Sequence, residues 1–229
     1  TSSQNMRVLY AKLSQPSRMV WSLCLADPAL AAVEFVDVDL TKGEQKAPAN
    51  LALNPAGGVP MLDDNGFGLG ESHAICKYLI GAHSGVADHW YPADAQKRAK
   101  VDEYLDWHHT HTRKGVPYFF HQYVASAFGM SPDAGRIQSG IEEYTKAIEF
   151  LNKHNLAKGP FIAGDEISIA DLSAYGELGP MRNDPTFVPI FAANSNVKAW
   201  LERMGEQAWH AQVMGPTDAF MAKSNASEC

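Results

Sequence analysis

Strand-like patterning is confined to the first third of this chain, and that asymmetry limits the fold more than any other feature of the sequence. In Val36-Asp-Val-Asp-Leu40 apolar and polar residues alternate with a period of two, as in a strand with one face buried. Val8-Leu-Tyr-Ala-Lys-Leu13 is a second strand-like run, leading into Ser14-Gln-Pro-Ser17. Pro16 there suits the first turn of a helix, where its missing N–H costs nothing. Met19, Val20, Leu23 and Cys24 then recur at helical spacing until Asp27-Pro28. After a polar stretch from Thr41 to Ala49, Asn54-Pro-Ala-Gly-Gly-Val-Pro-Met-Leu62 marks a turn into a short strand, and Gly66 closes a hairpin into Phe67–Leu69. Glu71 to Leu79 reads as a helix with Ser72 at or near its N-cap and Ile75, Tyr78 and Leu79 inward. The expected order is β-α-β-β-β-α, a compact sheet with helices beside it.

Beyond a Gly- and His-rich linker from Gly81 to Pro92 the periodicity is helical. Val101, Tyr104, Leu105 and His108 share one face; a second helix is expected from about Pro132 to His154 with Ile137, Ile141, Tyr144 and Ile148 inward; others begin at Ile169 and Val197. Ser168 and Asp171 form an S-x-x-D capping box ahead of the helix at Ile169.

Charge and cysteine usage narrow the function classes. A net charge of −7 and a pI near 5.7 do not supply the dense basic surface that nucleic acid or an anionic membrane requires. Cys24, Cys76 and Cys229 are odd in number, far apart and without a C-x-x-C pair, which fits a reducing compartment and excludes a zinc ribbon. With no apolar leader at Thr1–Met6 and no run near the roughly 18 apolar residues of a membrane span, the expected address is the cytosol.

Three stretches carry chemistry. At Ser14 a hydroxyl stands beside the free N–H groups of a helix start, a place that suits an anion. Gly58-Val59-Pro60 offers a bare backbone before a proline of the kind that tight turns hold as the cis isomer, and an extended peptide can pair with Val59 there. Glu71-Ser72 joins a carboxylate to a helix-start hydroxyl, which together match the ammonium and carboxylate of an amino acid. Each alone also reads as an ordinary cap or turn. His108 and His111, spaced i, i+3, invite a metal, but no third ligand stands at a suitable spacing, so no metal is expected. Cys24 and Cys76 fall on helical stripes as small buried hydrophobes.

In combination, Ser14-Gln-Pro-Ser-Arg18, Asn54-Pro-x-Gly-x-Val-Pro60 and Glu71-Ser-x-Ala-Ile75 resemble the glutathione-binding domain of cytosolic glutathione transferases. Asp88-His-Trp-Tyr-Pro92, Glu103-Tyr-Leu-Asp-Trp107 and Phe161 to Leu172 resemble the helical domain of the theta class, and the resemblance runs from about Val8 to about Met204. It implies an α/β thioredoxin-like domain over residues 5–82, an all-helical domain over 93–229 lining an electrophile site, and a homodimer. It further implies a thiolate held by Ser14, with Arg113 near the thiol. Val59 and Pro60 would pair with the cysteinyl backbone, Glu71 and Ser72 would clamp the γ-glutamyl end, and Gln45 and Lys46 would lie near the glycine carboxylate. Gln45 stands where relatives often carry histidine, Gly58 where many carry lysine, and Thr110 where an acid is common. The implied activity is conjugation of glutathione to hydrophobic electrophiles, or reduction of hydroperoxides by the same thiolate. The alternative is a non-catalytic protein of this fold that binds apolar ligands or a protein partner.

Overall fold

A computed structural model of the chain describes residues 6–226. The expected domain start at residue 5 and the end of the chain with Cys229 lie outside the described residues. The first part is a thioredoxin-like layer in which β1 (Met6–Tyr10), β2 (Glu34–Asp37), β3 (Met61–Asp64) and β4 (Phe67–Leu69) form one mixed sheet in the order β2-β1-β3-β4. β1 runs parallel to β2, with Val8 opposite Phe35, and antiparallel to β3, with Val8 opposite Leu62. The parallel pair is bridged by α1 (Gln15–Ala26), as a parallel connection requires. α1 buries Met19, Val20, Leu23 and Cys24, the stripe expected from their spacing, and α3 (Ser72–Ala82) buries Ile75, Cys76 and Leu79. Both cysteines are free and buried, and burial pushes their thiols up, away from nucleophilic use.

Three local differences from the sequence reading have physical causes. β1 ends at Tyr10, not Leu13, because Ser14 N–H turns back to Ala11 O at 2.9 Å. β2 ends at Asp37, not Leu40, because the Asp39 carboxylate takes the Thr41 N–H at 2.9 Å and caps a tight turn. A short helix, α2 (Pro48–Leu53), follows that turn and makes the order β-α-β-α-β-β-α; with no buried residue it leaves no apolar stripe to read. Its end passes so close to β4 that a Cβ on Gly68 would lie 2.4 Å from Leu53 O, so only glycine fits there.

The rest is helical: α4 (Ala95–Thr110), α5 (Val116–Phe119), α6 (Ala134–Phe150), α7 (Ile169–Leu178), α8 (Val188–Ala193), α9 (Ser195–Gly205) and α10 (His210–Ala226). α5 continues through wider and tighter turns to Phe128, and α6 through one wider turn to Asn155. All ten residues of α7 are buried, and the helix packs against α1 and α4. The capping box is present, and Asp171 does more than cap. Its carboxylate accepts from Ile162 N at 2.8 Å, Ser168 N at 2.9 Å, Ser168 Oγ at 3.2 Å and Trp200 Nε1 at 2.9 Å, tying α7 to α9. The segment read as a linker is anchored rather than free: Ala87 N and Trp90 Nε1 both donate to Asp27 Oδ2, at 2.9 and 3.0 Å. One continuous apolar core therefore runs from β1 through α10. No described helix is long and apolar enough to cross a membrane.

Candidate functional site

The strand–helix turn after β1 places Ser14 as the N-cap of α1, with extended backbone at φ −78° and ψ 122°. The Ser14 oxygen accepts from Ser17 N–H at 3.4 Å, a long contact that leaves its own proton free to be donated. Two other hydroxyls nearby are committed elsewhere. Tyr10 is buried, packed edge-on against Trp21 and Phe35 at 5.2 Å each, and Ser17 Oγ is buried and accepts from Ala11 N–H at 3.3 Å. Tyr10 is thus packed within the strand layer, and Ser17 is engaged by backbone.

Across a cleft from Gln15 and Pro16 lies the loop ahead of β3. The Val59–Pro60 peptide is cis, and the Asn54 side chain secures the loop by donating to Gly58 O at 3.0 Å and accepting from Ala56 N at 3.2 Å. At the start of α3 Glu71 is the N-cap residue and Ser72 the first helical one. Glu71 adopts φ 64° and ψ 114°, a region that costs a non-glycine residue about 1–3 kcal/mol, so the surrounding structure holds the backbone there against strain.

Val59, Pro60, Glu71 and Ser72 meet along one polar cleft of about 220 Å³, whose far wall is Gln15, His108 and Arg113. Ser14 faces the neighbouring cavity of about 650 Å³, largely apolar, walled by Val116, Phe119, Phe120, Phe128 and Phe220. The two share Gln15, Pro16 and Arg113, so Ser14 stands just past the partition between a polar and an apolar compartment. Gln45 and Lys46 line neither. The Lys46 chain runs beside Gly57, and Gln45 Oε1 is buried without a hydrogen-bond partner.

Behind the partition is a buried polar network that the sequence reading did not identify. Glu177 of α7, 2 % exposed at its side chain, accepts from Arg113 Nη1 at 2.8 Å, from the Gln15 amide and from Tyr144 OH at 3.3 Å, with His108 Nε2 at 3.5 Å. Burial pushes the Glu177 carboxyl up, but Arg113 and His108 outweigh it and hold the group below its usual range, ionised. Burial likewise opposes the Arg113 charge, and Glu177 more than offsets it. Arg113 also donates to Gln15 Oε1. A Cβ on Gly176 would lie 3.1 Å from Gln15 O, which shows how closely α7 passes the start of α1. Only the position of Glu177 hinted at it, a lone acid in the small and apolar run Ala174-Tyr-Gly-Glu-Leu178.

The histidines are arranged differently from their spacing. α4 ends at Thr110, and His111 swings out to stack on Trp107 at 4.5 Å, whereas His108 is buried toward Glu177. His108 neighbours His73 instead, at 5.4 Å between rings, and His73 Nε2 contacts Ser173 Oγ at 3.0 Å. Burial, then the charges of His108 and His109, push His73 down to about 3, so it is neutral. Among the described residues no group of three or more His, Cys, Asp or Glu side chains is disposed to hold a metal.

Comparison with known proteins follows the same two-part layout. The family model for the glutathione S-transferase N-terminal domain matches residues 8–81, and that for the C-terminal domain matches residues 134–203. Glutathione S-transferase T1 of Arabidopsis thaliana is 34% identical over 204 residues, spanning 86% of this chain and 82% of its own. Human glutathione S-transferase theta-2 is 34% identical over 194 residues, spanning 84% and 77%. A crystal structure of human glutathione transferase theta-2 with glutathione and an unknown ligand superposes with a TM-score of 0.84 at 29% identity, covering 97% of this chain and 91% of the other.

Proposed function

Since the chain belongs to the glutathione S-transferase family, with relatives in its theta class, we propose that it joins glutathione to apolar electrophiles through a thiolate held by Ser14. The observation that carries this reading is the placement of an uncommitted serine hydroxyl, at a helix N-terminus, at the partition between a polar cleft and an aromatic-walled cavity. The peptide end of glutathione fits the polar side: the Val59 backbone for its cysteinyl amide, and Glu71 with Ser72 and the first N–H groups of α3 for its amino-acid end. Gln45 and Lys46 lie beyond that cleft, near the turn at Gly57, where they would meet the glycine carboxylate at its rim.

A free thiol with a pKa near 8.5 is only a few per cent thiolate at neutral pH, and each unit of depression is about 1.4 kcal/mol in favour of the anion. The Ser14 hydroxyl and the α1 N-terminus together supply about one to two units. Arg113 adds little free charge, because Glu177 neutralises it; in this reading it orders the partition. The thiolate then attacks an electrophile packed against Phe119, Phe120 and Phe220, and catalysis is activation plus proximity. An organic hydroperoxide in the same cavity would be reduced by the same thiolate. The two buried free cysteines fit a cytosolic setting.

Retention on immobilised glutathione followed by turnover of an electrophile panel tests the reading. Retention without any turnover would favour the non-catalytic alternative. Replacing Glu71 or Ser72 by alanine is expected to raise the glutathione KM about tenfold or more with a smaller change in kcat, since these contacts are equal in ground and transition states. Unchanged KM in both variants would remove them from the clamp. We also propose a symmetric homodimer, supported by the half-exposed Phe67 on the edge strand β4, its ring tilted against Tyr78 at 5.2 Å between ring centres. Light scattering at micromolar concentration should return twice the 25.0 kDa chain mass, and a monomer mass would contradict it.

A further inference from the structure

Arg18 is among the largest fully buried side chains of the molecule, 1 % exposed, and among the described residues it has no carboxylate in contact. Its fork is spent on uncharged oxygens. Nη1 donates to Leu13 O at 2.9 Å, with Lys12 O at 3.5 Å and Thr217 Oγ1 at 3.2 Å, while Nη2 donates to Gly176 O at 2.7 Å. Nε has no partner. A guanidinium taken out of water in this way is expensive to keep, and uncharged partners offset that cost only in part.

The partners show what the charge achieves. Leu13 and Lys12 are the residues immediately before Ser14, Gly176 is the residue before Glu177, and Thr217 belongs to α10. One side chain thus fixes the backbone that presents the Ser14 hydroxyl, the backbone that presents the Glu177 carboxylate, and the last described helix. The charges facing it are Glu177 and Asp218 on one side of the balance and Arg113 on the other. Burial lowers its pKa to about 10, which leaves it charged at neutral pH.

We propose that Arg18 is a positioning residue for the thiolate: it holds the Ser14 turn in place, supplies a buried positive charge behind it, and through Thr217 makes α10 part of the same support. The inference rests on the reading that Ser14 holds glutathione as its thiolate. In a low-dielectric surrounding, a fixed cation near the sulfur favours the anion directly and does so without reorganising.

The test uses the full chain with glutathione bound, in wild type, Arg18→Met, Arg18→Lys and Thr217→Val, following thiolate ultraviolet absorbance against pH alongside thermal unfolding. Arg18→Met is expected to raise the thiol midpoint by about one unit, lowering turnover about tenfold at neutral pH and recovering most of it above the new midpoint. Arg18→Lys keeps the charge without the fork and should undo at least half of that shift. Thr217→Val should move the midpoint by about 0.3 unit, because Arg18 keeps its other partners. An Arg18→Met protein that is less stable but titrates at the wild-type midpoint overturns the proposal, as a purely structural role would do just that. If Arg18→Met does not fold, a wild-type midpoint in Thr217→Val overturns it equally. A wild type whose bound thiol titrates at the value of free glutathione removes the Ser14 reading, and the inference with it.

Discussion

Ser14→Ala is expected to raise the pKa of bound glutathione and to reduce turnover by about one to three decades, the scale on which a single preorganised donor acts. The hydroxyl accepts one long hydrogen bond and donates none within the described residues, so alanine removes a donor to the sulfur and weakens only a marginal cap. Stability should change by about 1 kcal/mol or less, which separates loss of chemistry from loss of fold. Tyr10→Phe and Ser17→Ala are the controls. Tyr10 is packed between Trp21 and Phe35, and Ser17 is bonded to the Ala11 amide, so neither should move the thiolate titration. If Tyr10→Phe shifts that titration and Ser14→Ala leaves it in place, the tyrosine is the donor and the serine-type assignment is wrong.

For stability the largest effect is expected at Asp171. Asp171→Ala strips four donors, the N–H groups of Ile162 and Ser168, the Ser168 hydroxyl and the Trp200 indole, of their only shared acceptor inside the core. The expected loss is about 3–5 kcal/mol, read as a drop of roughly 6–20 °C in the unfolding midpoint. Asparagine should be little better. One carboxylate oxygen serves Ile162 and Trp200 and the other serves Ser168, so an amide keeps one pair and turns its own N–H groups on the other. Burial pushes this carboxyl up to about 6 against the pull of its donors, so at neutral pH it is the ionised acceptor that holds them. A loss below 1 kcal/mol for both variants would show that the helical core does not depend on this junction.

What could be read from the sequence was local. Ser14, Val59, Pro60, Glu71 and Ser72 each sit at a change of element, where a turn signal, a cap or a proline marks the place. The stripe on α1 and the capping box of α7 follow fixed offsets of three or four residues and were legible for the same reason. Gln15, Arg18 and Glu177 were not. Gln15 meets Glu177 across 162 positions and Arg18 meets Thr217 across 199, and no periodicity relates such pairs. The length of β2 was misjudged because Val36 to Leu40 alternates smoothly, whereas the strand is ended by a side chain, Asp39, that bonds to its own backbone two residues on. α2 was missed because it buries nothing. The two histidines at i, i+3 part because the helix stops between them.

The bare face of α7 at Gly176, pressed against the carbonyl of Gln15, bears on how such a chain can be recombined. A chimera that takes its sheet from this protein and its helices from a relative would join the halves at the stretch between α3 and α4, which is itself anchored to Asp27. The seam of the chemistry lies elsewhere. A relative with a side chain at 176 would ask the Gln15 carbonyl to give by a few tenths of an ångström, and one that kept the arginine without the acid at 177 would leave Arg113 without its buried counter-charge. The acid and the arginine travel together in the helical half, so the contacts that must match across the join are those of Gln15 with Glu177 and Arg113 and of Arg18 with the Gly176 carbonyl.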